Sequence, residues 1–193
     1  DSIMATLFVD KLDPQSGTTL EIGSSGDTIT IPSGATITNN GTQTGFGGTN
    51  TPFTTVKKDA DQTITHNTET KMTFASVVNE SASSIFDLTN NKFTVASAGT
   101  YLILPTLRIY DSNNNLARTE CRMFKNGSVR KVFMHYFDDA GLREVTLGAG
   151  FLETLAVNDY IEMYAFVQTN DSGECVAESD NLGTTLGVMK IIT

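Results

Sequence analysis

Between residues 16 and 39 the apolar positions recur in one frame. Ser16-Gly17-Thr18-Thr19-Leu20-Glu21-Ile22, Ser25-Gly26-Asp27-Thr28-Ile29-Thr30-Ile31 and Ser33-Gly34-Ala35-Thr36-Ile37-Thr38-Asn39 share the form Ser-Gly-x-Thr-apolar-x-x, with starts nine and then eight residues apart. Each unit reads as a glycine turn followed by a short alternating strand. That places Leu20, Ile22, Ile29, Ile31 and Ile37 on one face and Thr19, Glu21, Thr28 and Thr30 on the other. Segments below about 40 residues bury too little apolar surface to hold together without disulfides, metal or association. These repeats contain no Cys and no His. Their apolar edges are therefore expected to close against those of other chains around a shared axis, most economically in a trimer, with the five apolar residues as the core of a stalk. The alternative is three strands of a small sheet packed on the rest of the chain.

Residues 40–52 are rich in Gly, Thr and Asn and read as a linker. Gly45 and Gly47-Gly48 suggest a phosphate cradle, but no Lys-Ser/Thr follows and no helical period begins there, so the P-loop reading fails. From Phe53 to Thr193 the pattern becomes short apolar strands between polar turns. Candidate strands are Thr63–Thr65, Lys71–Val78, Lys92–Val95, Gly99–Tyr110, Ala117–Lys125, Ser128–Phe137, Glu144–Leu155, Tyr160–Val167 and Leu186–Ile192. Asn126-Gly127 between two such runs is the strongest hairpin signal in the chain. Turns at intervals near ten residues fit an antiparallel sandwich or jelly roll. The expected organisation is all-β: residues 1–52 a β-repeat stalk and linker, residues 53–193 a jelly-roll head.

Composition narrows the function. The 193 residues include 29 Thr, 13 basic and 22 acidic side chains, for a net charge of -9. A chain this acidic repels a phosphate backbone and an anionic lipid surface, so neither nucleic acid nor membrane insertion is expected. No apolar run approaches the ~20 residues of a membrane-spanning helix, and no export signal is visible. Cys121 and Cys175 form no CxxC pair, and the sequence leaves a disulfide between them open.

Three stretches resemble a known family. The run from Asp87 to Ile103, with Lys92-Phe93-Thr94 and then Gly99-Thr100-Tyr101, resembles the opening of the globular head of complement component one-q. Leu155-Ala156-Val157-Asn158-Asp159-Tyr160-Ile161-Glu162 is similar to that family's leucine, two residues, Gly-Asp, apolar-x-apolar stretch, with Asn158 where Gly is usual. Leu186 to Ile192 is similar to its last strand, with Val188 and Met189 replacing the usual aromatic residues. The resemblance spans Lys71 to Ile192. It implies a ten-stranded jelly roll of the tumour-necrosis-factor-like superfamily, a compact homotrimer and a binding fold without catalysis. It also places the strand around Tyr101 to Leu104 and the last strand near the threefold. Alternation then gives two options, of which Leu102, Leu104 and Ile191 on the axis, with Tyr101 and Ile103 inside the sandwich, is favoured over the reverse. The N-terminal repeats are similar to stalk repeats of phage structural proteins that precede globular tips.

Catalytic chemistry has little to work with. His66 lies in a polar stretch and is expected to face solvent. His135 precedes Asp138-Asp139, which also reads as an edge-strand His before an acidic turn. Asp111 with Asn113 to Asn115, and Asp138-Asp139, offer oxygen ligands for calcium, although Asx-rich turns ordinarily bond their own backbone. No catalytic residue, resident metal or other cofactor is expected. Asp111, Asn113, Asp138, Asp139, Asp171 and Glu174 are the candidate recognition-loop residues, and Arg118 and Arg122 are expected to pair with Glu120. The expected function is a homotrimeric phage virion protein, a fibre or spike tip attaching to a host-surface glycan or protein and joined to other virion proteins through its N-terminal region. A capsid cement protein and a secreted complement-like ligand are the alternatives, and a polysaccharide depolymerase is the third.

Overall fold

The computed structural model describes residues 11–38, 40–41, 50–137, 141–179 and 183–191, and the chain divides into two units, 1–44 and 45–193. In the N-terminal unit the three repeat glycines, Gly17, Gly26 and Gly34, take φ of 76°, 95° and 87°. That is the left-handed region in which a side chain is strained. The same turn closes twice: Asp27 N–H donates to the Ser24 carbonyl at 3.0 Å and Ala35 N–H to the Pro32 carbonyl at 3.1 Å. With the glycine third of four, both are type II turns. The arms between the turns form no strand; among the described residues the first strand begins at Phe53. This differs from the expected alternating strands. Ordering each backbone residue costs about 1–2 kcal/mol, and arms of a few residues within one chain make too few ladder bonds to offset it. Leu20, Ile22, Ile29, Ile31 and Ile37 accordingly form no core within one chain, with exposures running from 43% at Leu20 to 60% at Ile22.

Among the described residues the C-terminal unit carries fourteen strands, all paired antiparallel. They are β1 (Phe53–Lys57), β2 (Gln62–Ile64), β3 (Thr70–Lys71), β4 (Ser76–Glu80), β5 (Phe86–Asp87), β6 (Lys92–Thr94), β7 (Gly99–Tyr110), β8 (Leu116–Lys125), β9 (Ser128–Tyr136), β10 (Glu144–Leu147), β11 (Phe151–Leu155), β12 (Tyr160–Thr169), β13 (Cys175–Ala177) and β14 (Thr185–Lys190). One sheet of eight strands runs β2-β13-β7-β14-β1-β4, with β10 and β11 also on β7. The other, of six, runs β5-β6-β12-β8-β9, with β3 on β12. The sheets face each other across a core that includes Val56, Phe93, Tyr101, Ile103, Leu107, Ile109, Met123, Met163, Val167, Leu186 and Val188. This is the all-β jelly roll.

Two runs that read as single strands are divided, for different reasons. Glu144–Leu155 is two strands on one side of β7, parted opposite Pro105, which has no N–H to give the ladder. There the chain passes so close that a Cβ on Gly148 would lie 2.4 Å from the Pro105 carbonyl oxygen. Lys71–Val78 crosses between the sheets: β3 pairs in the smaller, β4 in the larger, and the buried Met72 and Phe74 fill the passage. The hairpin turn between β8 and β9 has φ of 53° at Asn126 and 75° at Gly127, the two positive values of a type I′ turn. Asn126 Oδ1 accepts the Tyr160 N–H at 2.9 Å and its Nδ2 donates to Asp159 at 2.7 Å. The Asn126 amide, the Ala156 N–H and the Lys125 ammonium hold the Asp159 carboxyl at about 2.

Lys58 is buried, with its ammonium donating to Gln62 Oε1 at 2.8 Å and to the Thr73 carbonyl at 3.0 Å. Burial brings its pKa down to about 8, against the opposing pull of Asp61. Cys121 and Cys175 are both buried and free, so no disulfide joins them. Burial pushes both thiols up to about 12.

Three expectations follow from these groups. Thiolate is the reactive form, so a thiol reagent at pH 8 should find both cysteines protected in the folded protein and titrate two per chain only after denaturation; prompt labelling of the native state contradicts this. For Lys58, the unfolded chain binds more protons than the folded one between pH 8 and the ordinary lysine value of 10.5, so its contribution rises with pH across that window. For Asp159 the contribution is present above the ordinary 3.8 and disappears as pH falls through about 2. Denaturation midpoints of wild type minus Lys58→Met should therefore grow from pH 8 to pH 10, and a flat or falling difference refutes the assignment.

Candidate functional site

The strand β7 alternates with unusual consequence. Tyr101, Ile103, Leu107 and Ile109 point into the sandwich and are fully buried. The intervening Leu102 and Leu104 point to the outer face of the eight-stranded sheet. Cross-strand register extends that face: Phe53 stands opposite Met189, Met189 opposite Leu102, and Leu102 opposite Leu152. Four apolar side chains thus form one row across β1, β14, β7 and β11. Leu152 is 62% exposed and Leu104 45%. Ile191 follows β14 in the outward phase, its N–H bonded to the Thr100 carbonyl at 2.8 Å.

Leu104 stands above small neighbours. It is directly opposite Gly187, and a Cβ on Gly150 would meet the Leu104 Cδ2 at 2.9 Å and the Leu102 Cδ1 at 3.4 Å. Leu104 is therefore a knob with glycine hollows to either side. Farther along β7 the same face turns polar: Arg108 Nε lies 2.5 Å from Glu144 and 2.8 Å from Glu178, and the Tyr110 hydroxyl accepts from Arg143 at 2.7 Å. The Arg108 guanidinium lowers the Glu144 carboxyl pKa. The apolar part is thus bounded at one end by paired charge.

The candidate recognition residues fare differently. Asp111 is buried, and its carboxylate accepts the N–H groups of Asn113 at 2.8 Å and Asn115 at 3.2 Å. It builds the turn, buried where the sequence reading expects an exposed loop acid. Asn113 is exposed. Asp171 accepts the Gly173 N–H at 2.9 Å and the Asn115 amide at 2.7 Å, which lower its pKa, the Gly173 bond most. Glu174 accepts from the Thr65 hydroxyl at 3.4 Å. The loops holding Asp111, Asn113, Asp171 and Glu174 are therefore tied together at one end of the sandwich. Asp138 and Asp139 lie outside the described residues.

His66 does not simply face solvent: it is half-buried and its Nδ1 accepts the Thr169 N–H at 3.0 Å. His135 is exposed, with its ring 4.4 Å from that of Phe137. Arg122 Nε bonds Glu120 at 2.5 Å, and Arg118 pairs with the same buried carboxylate. Among the described residues no group of three or more His, Cys, Asp or Glu is placed to hold a metal. The apolar row is the site that stands out. Phe53, Leu152 and Met189 were missed from sequence because only the register, which pairs residues 53, 189, 102 and 152, brings them together.

No family model and no curated protein matches the chain. Solved structures do. Murine APRIL at pH 5.0 superposes with a TM-score of 0.54 at 12% identity, covering 72% of this chain and 98% of that one. Eiger TNF from S. frugiperda gives 0.53 at 10%, covering 72% and 93%. The globular domain of zebrafish complement 1qA protein gives 0.50 at 12%, covering 72% and 97%. At such identities the likeness concerns architecture alone, and by it the C-terminal unit has the jelly-roll fold of the tumour-necrosis-factor and complement one-q globular domains.

Proposed function

We propose that the chain is a homotrimeric structural protein of a phage virion, a non-enzymatic display module in which a jelly-roll head attaches to a host surface and the N-terminal repeats form a stalk joined to other virion proteins. The observation that carries this reading is the outward apolar row Phe53–Met189–Leu102–Leu152 with Leu104 beside it. Contiguous apolar surface of this kind marks an interaction site. A cyclic trimer covers it with copies of the same chain. The repeats support the rest: a segment whose turns are formed and whose apolar residues are bare is suited to a stalk that several chains build together. The tied loops at one end of the sandwich offer exposed polar side chains, among them Asn113, for host contact.

Leu104→Asp places a carboxylate on the apolar face beside the row, and burying it unpaired costs several kcal/mol per protomer. Light scattering should then read the 20.8 kDa chain where the unaltered protein reads three of them. A soluble trimer of Leu104→Asp at ~10 µM contradicts the assignment, since a cost of that size shifts assembly by several decades. Attachment has its own measurement: labelled trimer should be retained on whole host cells and compete with adsorption of virions. Retention only on capsids lacking this protein would make it a cement protein instead.

A further inference from the structure

A single chain carries a head that can close its own core and a stalk that cannot. In the C-terminal unit a continuous cluster from both sheets is buried. In the N-terminal unit two type II turns are already set, at Ser24–Asp27 and Pro32–Ala35, yet no strand forms among its described residues. Every apolar residue of the repeats is bare, with Ile22 60%, Ile29 59% and Ile37 57% exposed. The turns are local and form within one chain. The ladders and the apolar cover are not local, and nothing within the repeats supplies them.

We infer that the stalk is a conditional fold whose partner is the same segment of two further copies, and that the heads assemble first and set its register. This rests on the trimeric reading above and adds an order of events to it. The occupant of the bare face is argued from the chain itself. Leu20 with Ile22, Ile29 with Ile31, and Ile37 occupy the same place in each repeat, so three copies in register present like residues to like at every level. A copy slipped by nine still matches Leu20 and Ile22 to Ile29 and Ile31, while the unequal spacing puts its next repeat one residue out of phase. So short a repeat penalises a slip in one unit only, and nothing in it sets the relative position of three free chains before they meet. Heads joined through the Leu102 row fix that position, and tethering raises the local concentration of stalks to the millimolar range.

The test uses the full chain with one added cysteine. Cys121 and Cys175 are buried and do not interfere. Under oxidised glutathione, Ile29→Cys and Ile31→Cys should each give disulfide-linked chain pairs within the trimer, while Thr30→Cys, on the opposite face, should not. Combined with Leu104→Asp at ~10 µM, Ile29→Cys linkage should slow about a hundredfold, the ratio of tethered to free concentration. Leu152→Asp, at a more exposed site of the same face, serves where Leu104→Asp loses its fold by circular dichroism. Linkage that persists in chains with dissociated heads overturns the order proposed. Equal linkage at Ile29 and Thr30, or none at Ile29 in a trimer, overturns the stalk packing and leaves the trimer standing. A monomeric mass for residues 50–193, whose core is self-contained, overturns the trimer itself and this inference with it.

Discussion

The organising constraint is that β7 is apolar on both faces over its first half while a single chain fills only one. Tyr101 and Ile103 enter the sandwich, and Leu102 and Leu104 leave it. A strand of period two cannot turn all four inward. Everything that lies beside this stretch conforms to the outward pair. β11 and β14 bring Leu152 and Met189 to Leu102, β1 adds Phe53, and glycines replace side chains on either side of Leu104. Toward the other end of β7 the outward phase carries Arg108 and Tyr110, whose partners are charged or hydroxyl groups. The apolar patch therefore ends, on this side, at paired polar groups. Covering such a patch is favoured by the apolar surface it removes from water.

Much of the head was legible because its signals are local. Alternation placed β7, β8, β9 and β12 within a few residues, and Asn126-Gly127 marked the hairpin that the two positive φ values close. Alternation left two orientations open for this stretch, and the burial of Tyr101 and Ile103 puts Leu102 and Leu104 outward. What was not legible depends on pairing between distant segments. β1, β5 and β13 are two to five residues long and have no periodicity to read. The division of Glu144–Leu155 is imposed by Pro105, some forty residues earlier. Asp111 looked like a loop acid from its Asn-rich neighbours, and it is instead the buried acceptor that folds them. His66 reads as solvated among Thr and Asn, yet its ring accepts the Thr169 N–H, a partner that sequence distance conceals.

The repeats invert that relation between local and non-local signals. Their glycines and turns were readable, and Gly17, Gly26 and Gly34 adopt the conformation the frame implies. Their strands do not form in one chain, because the alternation in Leu20, Ile22, Ile29 and Ile31 specifies a face and not a partner. Charge suits such an object. In the proposed trimer the -9 of each chain would sum to 3 × -9 = -27, a like charge that would keep such trimers apart once their apolar faces are covered.

Sedimentation equilibrium of the unaltered chain, followed from nanomolar to micromolar concentration, tests the central claim most directly. The account predicts a dominant species of 3 × 20.8 = 62.4 kDa at micromolar concentration. A 20.8 kDa monomer throughout that range would mean that the Leu102–Leu104 face is covered by something other than this protein, and would contradict it.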